Sequence, residues 1–219
     1  MTVPSGVASV SHTLQWAMNF LAHLLLTDEA GLPLEGALLG DMVRGNLQGR
    51  FTPSLEASIR LHRSVDATTD AHPDVHALIR EFPPPKRRYA PVIVDMLFDH
   101  CLALDWARYS EEPLEQFTRR ASLALAGAAD AFRDAGGWVP QPWLFQRLLL
   151  SYRREAGLDR ALRRISRRLK RPEGLIEASQ GWVGHIQSGR RTLPLLMASL
   201  REVARAAATE ISPDDAPVR

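Results

Sequence analysis

An all-α fold is what this sequence predicts, and three observations predict it. No segment sustains an apolar/polar alternation, no Asn-Gly hairpin dipeptide occurs, and several long segments repeat apolar residues at helical spacing. The chain has 219 residues, 45% of them hydrophobic, enough to bury a full-sized core in a single helical domain. A formal net charge of +2 is close to balance, so bulk charge does not point to nucleic acid. The lone cysteine, Cys101, excludes an internal disulfide framework and a multi-cysteine zinc cluster. The longest apolar run, FLAHLLL, is too short to span a bilayer, and the N-terminus lacks the basic start and small-residue cleavage site of a secretory signal. The expectation is a soluble, cytoplasmic protein with no membrane segment.

The elements follow in order. A first helix is predicted over about His12–Thr27 and is stopped by the Gly/Pro cluster TDEAGLP. Glu35–Arg44 is the second. Thr52, a good N-cap, and Pro53, at home in a first turn, start a long third helix over Ser54–Ala71. Asp74–Glu81 follows and ends at EFPPPKRR. Pro91–Tyr109 is apolar nearly all round, so it is predicted to run through the core with Cys101 packed inside it. Leu114–Asp134, ended by GGWVPQP, then Gln141–Glu155, Leu158–Lys170, ended by RPEG, and Leu193–Thr209 complete the set. No internal repeat, low-complexity tract or linker divides the chain.

Polar residues interrupt this apolar plan in a pattern. At about 100° per residue, Leu55, Ile59, His62, Asp66, Thr69 and Asp70 fall in one narrow band of the third helix, a core-facing stripe that begins apolar and turns ionisable. The core helix repeats the pattern with Asp95 and Asp99 on one stripe and His100 beside it. Asp41 in LLGDMVRG and His23 in NFLAHLLL are also embedded among apolar residues. Burying such groups costs several kcal/mol unless they are paired or bound to a cation. Four segments able to converge on one polar centre make a plausible donor set for a divalent cation, and the histidines favour manganese, iron or zinc over magnesium. Blander readings stay open at this stage: His23 as a hydrogen-bonded structural histidine, His62 with Asp66 as an i,i+4 ion pair, Asp95 as a cap or the partner of an arginine. His72 and His76 are expected to be exposed, and His12 and His185 have no evident partner.

MNFLAHL (Met18–Leu24), GALLGDMVRG (Gly36–Gly45), IRLHRSVDATTDAHP (Ile59–Pro73) and VDMLFDHCLALDW (Val94–Trp106) together resemble the acyl carrier protein phosphodiesterase family, a branch of the His-Asp (HD) metal-dependent phosphohydrolases. The resemblance covers roughly the first half of the chain. It implies an HD-like helical bundle over residues 18–210, with residues 1–17 an extension ahead of the usual start and 211–219 a disordered tail. It also implies an activity: hydrolysis of the phosphodiester that joins 4'-phosphopantetheine to a serine of holo-acyl carrier protein, a step of lipid and fatty acid biosynthesis. By the same resemblance Asp41, His62, Asp66, Asp99 and His100 are the expected ligands of a divalent metal, most simply Mn2+. His23, Asp70 and Asp95 are expected to orient groups or carry protons, and Arg44 and Arg63 to contact phosphate.

In LDRALRRISRRLKR, Leu158, Leu162, Ile165 and Leu169 form an apolar stripe, while Arg160, Arg163, Arg164, Arg167, Arg168 and Lys170 fan over the rest. Such a cationic face would attract an acidic partner, the acyl carrier protein in the implied reaction, or would simply be solvated. No aromatic interleaving supports nucleic acid. Phosphate loops, dinucleotide-binding glycine runs and nucleophile elbows are absent from the sequence. The rival readings are an HD-type hydrolase of a nucleotide and a non-catalytic helical module that binds acidic proteins.

Overall fold

Thr52 caps the third helix as predicted, its Oγ1 accepting from the Leu55 N–H at 3.4 Å, and Pro53 occupies the first turn. The computed structural model describes residues 19–209, so the expectations for the first residues, His12 among them, and for the tail lie outside the described residues. Among these it is all-α, and no strand occurs. The helices are α1 Phe20–Glu29, α2 Gly36–Met42, α3 Pro53–Ala71, α4 Pro73–Arg80, α5 Pro84–Arg87, α6 Ala90–Leu104, α7 Leu114–Gly127, α8 Ala129–Asp134, α9 Pro142–Ser151, α10 Glu155–Ser166, α11 Pro172–Ser179 and α12 Ile186–Thr209.

α6 is the core helix. It touches α1, α4, α5, α10, α11 and α12, and its Ile93, Val94, Met96 and Leu97 are fully buried. Each such side chain contributes about 1.5–3 kcal/mol relative to leaving it in water. α3 lies across α2, α1, α4 and α12, and α7 pairs with α9. The α2–α3 approach is unusually close because α2 turns Gly36 and Gly40 towards its neighbour. A Cβ on Gly36 would sit 2.1 Å from Ser58 Oγ, and one on Gly40 would sit 2.1 Å from His62 Cδ2. Only glycine permits that spacing.

Boundaries differ from expectation for local reasons. The helix predicted over Leu114–Asp134 is two, broken where Ala128 leaves helical geometry (φ −88°, ψ 23°) after Gly127. α6 stops at Leu104, where Asp105 turns out of the helix, and Trp106–Arg108 form a 3₁₀ turn. α12 begins at Ile186, ahead of the predicted Leu193, and carries Pro194 inside it. Its first turns are secured by packing, since Gly189 sits where an added Cβ would be 3.0 Å from Leu97 Cγ. α5 and α11 form where the sequence predicts loops; the proline expected to stop a helix there instead occupies its first turn.

Candidate metal centre

α1, α2 and α3 each deliver a polar group to one point. His23 comes from the middle of α1, Asp41 from the last turn of α2, and His62 and Asp66 from successive turns of α3. The His23 and His62 rings stack at 4.1 Å between centroids, with 25° between their planes. Asp66 lies beneath both: Oδ1 is 3.1 Å from His23 Nε2 and Oδ2 is 3.2 Å from His62 Nε2. Asp41 Oδ1 is 3.5 Å from His62 Nε2. One donor atom each of His23, His62 and Asp66 lie within 4.8 Å of one another, which is the spacing a single cation can bridge.

Hydrogen bonding separates this cluster from an ordinary buried ion pair. His62 Nδ1 donates to the Ala37 carbonyl at 2.8 Å, which fixes the ring and leaves Nε2 facing the carboxylates. Yet among the described residues His62 Nε2 and both ring nitrogens of His23 are buried without a hydrogen-bond partner, because the neighbouring carboxylates approach without lining up as acceptors. Buried polar atoms left unanswered are rare and costly. Two imidazoles with carboxylates are a donor set for manganese, iron or zinc, so the residues fit a cation.

The charged groups of the cluster shift one another strongly. Burial lowers the His62 pKa, but Asp41 and Asp66 more than offset it and raise it to about 10. His23 is lowered, by burial and by the His62 charge beside it. Asp66 is lowered despite its burial, held ionised by the two histidines. Asp95 is raised well above the usual carboxylate range by burial and then by the negative field of Asp66, Asp70, Asp99 and Asp41. Asp70 is raised by burial and by Asp66. Asp70 and Asp95 therefore share the negative field of the cluster, and no cation among the described residues pairs with either.

Two expected ligands sit elsewhere. The carboxylate of Asp99, fully buried, accepts from the Leu21 and Ala22 N–H groups at 3.0 Å each, so it caps the first turn of α1, where Asn19 supplies no side-chain bond. Burial raises its pKa to about 7 against those two hydrogen bonds, which lower it. His100 donates from Nδ1 to the Tyr152 carbonyl at 2.6 Å and meets the Trp182 ring edge-on. Arg63, expected against phosphate, donates instead to the Val43 and Gly45 carbonyls at 2.7 and 3.0 Å, fastening the loop that follows Asp41. Arg44 of that loop is exposed. Glu56, which sequence reasoning passed over, is buried and accepts from the Arg50 and Phe51 N–H groups at the loop's other end. The Gly36–Gly40 spacing on α2 is the sequence signal of its close approach to α3.

Residues 18–192 match the acyl carrier protein phosphodiesterase family. The chain belongs to that family. Among curated relatives of that name, a Pectobacterium atrosepticum protein is 38% identical over 133 residues, 58% of this chain and 69% of its own length. A Klebsiella pneumoniae relative is 34% identical over 164 residues, 74% of this chain and 85% of that protein. An Escherichia coli O45:K1 relative is 43% identical over 102 residues, and there the match spans only about half of each chain, 46% and 53%. No solved structure matches the chain significantly. His23, Asp41, His62 and Asp66 all fall within the residues that match the family.

No helix among the described residues is long and apolar enough to cross a membrane. The basic helix forms as α10, with Leu158, Leu162 and Ile165 buried and Arg160, Arg163 and Arg164 exposed. Arg167 and Arg168, in the turn after it, are exposed too.

Proposed function

We propose that this protein is a metal-dependent phosphodiesterase that hydrolyses the bond between 4'-phosphopantetheine and the serine of holo-acyl carrier protein. One observation carries the metal dependence: the unanswered ring nitrogens of His23 and His62 converge with Asp66 in a chain of a phosphodiesterase family. His23, His62 and Asp66 would hold the cation, with Asp41 beside them, and manganese suits that donor set. When bound, a divalent cation supplies positive charge to the phosphoryl oxygens and lowers the pKa of an attacking water.

The chain's own residues do the rest. Ala37 holds the His62 ring by its carbonyl, so Nε2 keeps its direction. Arg63 and Glu56 brace the loop between α2 and α3, and that loop presents Arg44 for a phosphate oxygen. Asp70 and Asp95, which feel the charge of Asp66, would orient water or pass a proton to the leaving serine oxygen. The carrier would dock on the cationic surface of α10.

The test is direct. Manganese-loaded protein is incubated with holo-acyl carrier protein and, in parallel, with a nucleotide panel, and products are read by mass. Apo-carrier and 4'-phosphopantetheine are expected, with the rate lost on chelation and restored by manganese. Hydrolysis of nucleotides alone, or a rate indifferent to chelation, would overturn the reading.

A further inference from the structure

An open groove of about 420 Å³ runs between α9 and α10. Its floor is apolar, built from Phe145, Leu148 and Ala161, and its lip carries Trp138 and Leu144, exposed at 42% and 49%. Three arginines line it: Arg147 from α9, and Arg160 with Arg164 from α10. Among the described residues no carboxylate pairs with any of these three, whereas Arg120, Arg153, Arg190 and Arg201 are all paired with acids. The helices meet tightly at the closed end, where a Cβ on Gly157 would lie 1.9 Å from the Ser151 carbonyl oxygen.

The groove's inner wall packs against the helix that carries His23. Phe145 packs edge-on against Phe20 of α1, with 5.2 Å between ring centroids, one turn from His23. Trp138 leans on Phe145 at 6.0 Å, and the adjoining Gly137 abuts Met42, the residue after Asp41.

We infer that this groove seats an acidic amphipathic helix of the carrier-protein substrate, apolar residues on the Phe145–Leu148 floor and carboxylates on Arg160 and Arg164. The inference rests on the proposed function and narrows the docking surface from the whole cationic face to one groove. Charge and shape both favour a helix. Arg160 and Arg164 are four residues apart, so they repeat at about 6 Å along the axis, the spacing of carboxylates one turn apart on a partner. A trough with an apolar floor, flanked by unpaired cations and an exposed aromatic lip, is the helix-in-groove arrangement.

Steady-state hydrolysis of holo-acyl carrier protein by the manganese-loaded full chain tests this, with melting curves to show that each variant is folded. Arg160→Glu/Arg164→Glu is expected to raise KM at least tenfold with kcat within a factor of two, because binding is lost and the centre is untouched. Leu144→Ser is expected to raise KM three- to tenfold. Arg119→Glu, an exposed arginine of α7 that does not line the groove, is expected to leave both constants unchanged. An unchanged KM in the double variant overturns the groove, as does an arginine effect without any effect of Leu144→Ser, which would mean a diffuse charge patch. Wild-type protein that does not cleave the carrier at all sinks the proposed function, and the groove inference with it.

Discussion

Two pairs of buried polar residues, His23 with His62 and Asp99 with His100, lie in the same core, and they differ in what answers their hydrogen-bonding groups. Asp99 and His100 are satisfied by the backbone: two amides of α1 for one, the Tyr152 carbonyl for the other. Only Nδ1 of His62 is answered in the first pair, and three ring nitrogens stay open. A polar group whose partners are all inside the protein is holding the fold together. One left open beside carboxylates offers donors that an added cation could use.

The contrast can be broken or sharpened by experiment. Asp99→Ala has the largest expected effect. It strands two buried N–H groups at about 1–3 kcal/mol each, so the unfolding free energy should fall by about 2–6 kcal/mol, read by urea titration. Asp99→Asn, which keeps one acceptor, should lose less. If Asp99→Ala were as stable as the wild type yet took up no manganese, Asp99 would belong with the metal centre.

Next comes the cation itself. At about one hundred times its dissociation constant, manganese should stabilise the protein by about 2.7 kcal/mol. For a chain of this size that raises Tm by about 5–10 °C over the chelated form, as calorimetry would show. In His62→Ala the rise should vanish and carrier hydrolysis should drop by more than about 100-fold, since even the partners of ligands cost 10- to 100-fold. His100→Ala should keep the manganese-dependent rise, which tells the two histidines apart.

Gly40→Ala follows. Its methyl would drive into the His62 ring, so a loss of about 1–3 kcal/mol is expected together with weakened manganese uptake by isothermal titration. The smallest effect is that of Arg63→Ala, which frees the loop after Asp41. About 1 kcal/mol of stability should go, and KM for the carrier should rise with manganese uptake unchanged.

Much of the site was legible. The phase of α3 placed His62, Asp66 and Asp70 on one stripe because a 3.6-residue period is a local property. The same count on α6 grouped Asp95 with Asp99 and could not tell which neighbour each would meet. His23 was expected to orient and Asp99 to ligate; the structure brings His23 into the cluster and turns Asp99 to the start of α1. Arg63 is expected against phosphate because the loop carbonyls it meets leave no mark in the sequence around it.

Composition and periodicity by themselves determined that this chain is helical, which helices are amphipathic and where most of them start, because those properties depend on residues within a turn or two of one another. They also marked which side chains would be awkward to bury. Tertiary structure alone decided how each awkward group is resolved, whether by a helix end, a carbonyl or an unfilled cluster of donors. The partners lie 25 to 78 residues away along the chain, and only the packing of α1, α2, α3 and α6 brings them within bonding distance.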